Sequence, residues 1–252
     1  MAYYIPTLSK IQAISGLTFG SFLGLHLGTH ILAHFGIEKA NQGMFLFRRY
    51  YQNPLVEPIV ILASGIIHIG TGIAKYYLRS RRKTIYASTD SSAKKPRTSS
   101  IRRNWHQFTG WYVLVFLPGH YLATRIVPNW FYVSPSSSMN PTGGIDETFP
   151  AYTLINLPYI FFPYYITFSA AGMYHLLVGV RKAWNILGGK FKINREAYNL
   201  VASIAVLAAS SSILALGGVY FHFNISRSGE YLEMANSVIS ELRYKLSNTI
   251  RI

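Results

Sequence analysis

Five stretches of mostly apolar residues, 11–35, 55–78, 105–127, 152–180 and 200–221, alternate with polar segments along the chain. A helix needs about 20 such residues to cross the hydrocarbon core of a bilayer. Each stretch is therefore expected to be a transmembrane helix, and the fold class to be an all-α integral membrane bundle of five spans. Pro54 and Pro58 open the second stretch, and Arg79, Arg81, Arg82 and Lys83 close it. Pro128 ends the third, while Pro158 and Pro163 are expected to kink the fourth. Residues 80–103 are rich in Ser, Lys and Arg without apolar periodicity and read as a flexible linker. The run PSSSMNPTGGIDE reads as turns. Beyond the fifth stretch, Leu232, Ala235, Val238, Ile239, Leu242 and Leu246 recur at helical spacing. Residues 230–252 thus predict an amphipathic helix lying on a membrane or a partner. Two units follow: a membrane bundle over 1–222 and an amphipathic tail over 223–252.

Composition strengthens the membrane reading. Of 252 residues, 50% are hydrophobic and only 13% charged, against about 25% charged in soluble domains. The formal net charge is +15. The Lys and Arg cluster between the apolar stretches, which fits topology and lipid head groups rather than nucleic acid. Lys10, the 79–103 linker and the segment between the fourth and fifth spans hold 15 of them, against eight in the opposite loops and tail. The positive-inside rule then puts the N-terminus and the linker on the cytosolic side, or the matrix side in an inner membrane. There is no cysteine, hence no disulfide, thiolate metal site or Fe–S cluster of its own. The start MAYYIPTLSK lacks the features of a cleaved signal or transit peptide, so the first span is expected to be retained. No phosphate-binding loop, dinucleotide glycine motif or nucleophile elbow is present, and no carboxylate pair stands out.

An internal repeat carries the candidate chemistry. Ser15-Gly16 precedes His26, and Thr109-Gly110 precedes His120, each histidine ten residues after the glycine. The second stretch reads Gly65, His68, Gly72, Lys75, and the fourth Gly172, His175, Gly179, Lys182, at identical offsets. A two-span unit is duplicated over 10–83 and 104–185, with halves related by a pseudo-two-fold axis along the membrane normal. Symmetry pairs His26 with His120 and His68 with His175. Histidines facing one another inside a helix bundle suit axial ligation of haem iron, which predicts one or two haem b sites. The alternative for each histidine is a hydrogen-bonded packing role. His30 and His34 share the face of His26 without repeat counterparts, and His106 and His222 sit at span ends, where a wet role is expected. Lys75, Arg125, Arg181 and Lys182 would anchor helix ends or pair with haem propionates.

Five spans with histidines at 26, 68, 120 and 175 resemble the single-chain cytochrome b anchor of succinate dehydrogenase and fumarate reductase. That resemblance implies two b haems with His26, His68, His120 and His175 as axial ligands. The segments SKIQAISGLTFGSFLGLH, YQNPLVEPIVILASGIIHIGTGIAKYYLRSRRK and HQFTGWYVLVFLPGHYLATRIVP are similar to the transmembrane domain of the fungal mitochondrial adaptor (MCP) family, which shares the cytochrome b anchor fold. This second resemblance spans about 10–185. It implies residence in the mitochondrial outer membrane and a non-enzymatic role in lipid homeostasis, as receptor for a bridge-like lipid-transfer protein. That family's Pro-x-Pro recruitment motif is not found in residues 1–10, where Pro6 stands alone. The alternative is an electron-transfer subunit passing electrons between Fe–S and flavoprotein partners and quinone. A third reading is a structural membrane subunit of a larger complex.

Overall fold

A computed structural model of the chain describes residues 4–89, 101–128, 145–190, 193–223, 225 and 228–249. These form eight α-helices, with no strand among the described residues. The helices are α1 (Tyr4–Ile31), α2 (Ile37–Tyr51), α3 (Ser64–Thr89), α4 (Ile101–Tyr121), α5 (Thr148–Asn156), α6 (Pro158–Ile186), α7 (Arg195–Leu216) and α8 (Ser228–Thr249). A 3-10 turn, Leu32–Phe35, ends α1. Wider π-type turns, Glu57–Ala63 and Leu122–Ile126, precede α3 and follow α4. The all-α class therefore holds.

Local chemistry explains several boundaries. Gly36, at φ 103°, occupies a left-handed conformation that suits glycine and turns the chain from α1 into α2. Pro158 starts α6 at its first turn, where a missing N–H costs nothing. The residue before it, Leu157, is pushed out of the helical region, so the stretch expected as one kinked span is two helices, α5 and α6. Asn194 caps α7 by accepting the Ala197 N–H at 2.7 Å.

The packing is a four-helix square with additions. α1 packs on α3 and α6, and α6 packs on α4 and α7. This leaves α1 and α4 on one diagonal and α3 and α6 on the other. Helices α3 and α4 approach less closely, meeting through the Tyr76–Trp111 ring contact (5.7 Å) and the Glu57–Arg125 ion pair (2.7 Å). Leu27, Met173 and Ala209 tie α1, α6 and α7 together at mid-height. At one end Ala33, Ala40, Leu154, Ile213 and Leu216 form a further core under α2 and α5.

Two expectations change, and a third lies largely outside the described residues. Helix α3 runs on to Thr89, so the linker is helical over its first part, and its residues 90–100 lie outside the described set. The turns expected for PSSSMNPTGGIDE also lie outside it up to residue 144. The tail helix has a partner within the chain. Tyr231 and Met234 are buried against Ile145 and Phe149, whereas Leu232 and Ile239 of the expected apolar face stay about half exposed.

Two helical runs are long and apolar enough to cross a membrane, Glu57–Arg81 and Arg195–Leu216, with mean hydropathies of 1.5 and 1.9. Five spans were expected.

Candidate functional site

The four repeat histidines come together across the two diagonals, in the pairs that symmetry gives. The His68 and His175 ring centroids are 6.2 Å apart with planes at 83°, and those of His26 and His120 are 6.0 Å apart at 60°. Gly16 lies at the level of His68, and His26 is ten residues further along α1. At 1.5 Å per residue the two pairs are thus about 15 Å apart along the bundle.

The His68–His175 pair is built twice over from one pattern. Nδ1 of His68 donates to the backbone carbonyl of Gln12 (3.1 Å), and Nδ1 of His175 donates to that of His106 (3.2 Å). Gln12 and His106 each stand four residues before a repeat glycine. Those glycines receive the rings. A Cβ on Gly16 would lie 2.6 Å from His68 Nδ1, and one on Gly110 would lie 2.8 Å from His175 Cε1. The match extends one turn further, since a Cβ on Gly72 would meet the Gln12 side chain and one on Gly179 the His106 ring. A carbonyl can only accept, so Nδ1 carries the proton in both histidines and Nε2 is left as the basic nitrogen.

Two surroundings differ between the halves. On the α1–α3 side, buried Lys75 donates to Gln12 Oε1 at 2.7 Å. On the α4–α6 side, the His106 ring stacks on His175 at 4.3 Å, with planes 7° apart. His106 is thus a packing partner of His175 rather than the wet residue expected. His222, at its span end, is exposed as expected. Arg181 stacks over the Tyr198 ring at 4.6 Å, and Arg125 pairs with Glu57. Both are engaged by protein groups in this structure.

The His26–His120 pair is different. His26 Nε2 is 3.4 Å from Nε2 of His30, and His30 Nδ1 is 2.9 Å from Oε2 of Glu147, which is 2% exposed. Here the polar chain runs Glu147–His30–His26. Buried Arg48 stands beside it and donates to the Ile145 carbonyl and to Met44 Sδ. Burial lowers the Arg48 pKa and raises that of neighbouring Tyr51. His34 bonds the Ile31 carbonyl and Ser211 Oγ, and so packs α1 against α7.

Metal–imidazole bonds of about 2.0 Å set ring centroids on opposite sides of one metal about 6 Å apart. Both pairs meet that spacing. At His68 and His175 the free Nε2 atoms and the glycine-lined ring seats fit axial ligation. At His26 the hydrogen bond to His30 engages the Nε2 that an iron would need, so a macrocycle does not fit until His30 leaves. Gln12, His30, Arg48 and Glu147 were not expected as site residues. Reading the repeat four residues upstream of its glycines would have found Gln12 and His106. Compared with known proteins, this chain matches no family model, no curated protein and no solved structure.

Proposed function

We propose that this chain is a multi-pass mitochondrial membrane protein, with a five-span cytochrome b-like bundle that holds haem b between His68 and His175. One observation carries the reading. The repeat sets two histidine rings 6.2 Å apart, the spacing of imidazoles on either side of one metal, each with Nδ1–H fixed on a carbonyl and its ring seated on a glycine. Such outer hydrogen bonds orient the imidazole and raise its basicity toward a metal. Haem held by two imidazoles supplies one-electron chemistry. Membrane residence is supported by the run Glu57–Arg81, only 6% of whose apolar window is buried inside the protein. A soluble core helix of that hydropathy would be buried instead. The setting is the mitochondrial outer membrane, with the N-terminus and basic linker cytosolic. There the chain serves lipid homeostasis as a non-enzymatic adaptor, which rests on the sequence resemblance over 10–185.

A reduced-minus-oxidised optical spectrum of the detergent-purified chain tests the haem reading. A b-type band that is lost in His68→Ala and in His175→Ala is the expected result. A colourless, folded protein overturns it.

The second reading is a two-haem membrane anchor passing electrons between Fe–S and flavoprotein partners and quinone. Two histidine pairs stacked along one bundle favour it, and it requires His30 to swing away from His26. Stoichiometric co-purification of flavoprotein and Fe–S subunits would establish this reading and remove the adaptor.

A further inference from the structure

The polar chain at the α2 end of the bundle has no counterpart in the repeat and is not used by the haem site. We infer that His26 and His30 form a binding site for a divalent first-row transition metal ion such as Zn²⁺ or Co²⁺, with Glu147 orienting His30.

The two histidines are four residues apart on one helix, the spacing that puts side chains on one face. Their Nε2 atoms are 3.4 Å apart. Two ligands bound at about 2.0–2.1 Å in a tetrahedron stand about 3.4 Å from one another. The separation that blocks a porphyrin is thus the one a single small ion requires. Glu147 accepts from His30 Nδ1 at 2.9 Å, the carboxylate–histidine arrangement that fixes a metal-binding tautomer. Among the described residues no group of three ligating side chains is gathered, so His26 and His30 supply two positions. His120 stands beside them, its ring 6.0 Å from His26 and its buried Nδ1 without a hydrogen-bond partner. Rotation toward His26 would make it the third ligand. Arg48 acts on His26 and opposes a cation, but Glu147 and Asp146 both act on Arg48 and bring two negative charges against its one.

The experiment is a Co²⁺ titration of the full chain in detergent, read by visible d–d absorption, with Zn²⁺ as competitor. One equivalent of Co²⁺ displaced by Zn²⁺ is expected. Binding should be lost in His26→Ala and His30→Ala, weakened about 10–100-fold in Glu147→Gln, and retained in His68→Ala. If His30→Ala fails to fold, His30→Gln keeps a donor for Glu147 and should still lose the ion. Absent uptake by a folded chain, or uptake indifferent to His30, overturns the site. So does a second haem lost in His26→Ala. The haem reading stands or falls separately, on the optical band and its loss in His68→Ala.

Discussion

His68 and His175 face each other across the bundle at 6.2 Å, each anchored through Nδ1 to a carbonyl of the helix that pairs with its own. The anchor depends on the ring lying against bare backbone at Gly16 or Gly110. Alanine at position 16 would place its Cβ 2.6 Å from His68 Nδ1, and alanine at 110 would crowd the His175 ring at 2.8 Å. Either substitution must push the imidazole off its carbonyl. Gly16→Ala and Gly110→Ala should each cost about 1–3 kcal/mol as overpacking, and each should weaken the b-type band. Gly28→Ala is the control, since nothing lies within 4 Å of its added Cβ. It should stabilise α1 by about 0.5–1 kcal/mol through lower helix entropy cost and leave the spectrum intact. Denaturation in mild detergent, followed by optical spectra, reads both effects.

The His106 ring and its carbonyl make separable contributions to His175. The carbonyl is backbone and survives substitution, while the stacked ring at 4.3 Å does not. His106→Ala should therefore keep the b-type band, with a loss of about 0.5–1.5 kcal/mol from the missing ring pair. A complete loss of the band would mean that the ring, not the carbonyl, holds His175.

Much of this arrangement was legible in the residues, and the reasons for the rest are physical. Duplicated offsets around Gly16 and Gly110 pair the histidines without any coordinates, because helical rise fixes their depth. The apolar pattern does not predict helix α2. Its inward face of Ala40, Met44, Arg48 and Tyr51 contains a buried arginine, which breaks the apolar pattern. The break at Leu157 follows from the proline after it, where the apolar pattern predicts a kink within one helix. The Glu147–His30 contact joins residues 117 apart in sequence, and nothing local to either one signals the other.

Tyr231 fastens the tail helix. Its hydroxyl lies 2.6 Å from Thr148 Oγ1 and 3.1 Å from Asp146 Oδ1, and the residue is 1% exposed. Tyr231→Phe removes both bonds while keeping the ring against Phe149 and Met234. A cost of about 1–3 kcal/mol is expected from the polar groups left behind. Tyr231→Ala should add a cavity term, for a total of about 3–5 kcal/mol. Limited proteolysis should then cut before α8 in Tyr231→Ala well before it does in the parent. Equal cleavage rates would mean that the tail is held elsewhere.

Glu57 and Arg125 bridge the loosely packed side of the square. Nε and Nη2 of Arg125 donate to the two carboxylate oxygens at 2.8 and 2.7 Å, with the side chains 24% and 17% exposed. A two-bond fork of this kind is specific to arginine. Arg125→Lys should lose most of the interaction despite keeping the charge. A double-mutant cycle with Glu57→Gln should return a coupling of about 1–2 kcal/mol, above that of an exposed pair. A coupling near zero would leave Tyr76 and Trp111 as the main link between α3 and α4.

The outward face of α3 separates a bilayer setting from an aqueous one. Ile59, Ile66 and Ile73 are 63%, 69% and 45% exposed on a run of which only 6% of the apolar window is buried. In water, a single arginine at position 66 would change stability by no more than about 0.5 kcal/mol, as exposed substitutions do. Facing lipid near mid-span, it replaces a residue that favours insertion with one costing about 2.5–3.5 kcal/mol. Ile66→Arg should therefore reduce the fraction of chain in which α3 is inserted, read by protease protection of that segment in sealed membranes, while Ile66→Leu should not. The substituted side chain points away from the histidine pairs, so any chain that still inserts should keep its b-type band. Unchanged protection of α3 in Ile66→Arg would remove it from the set of spans.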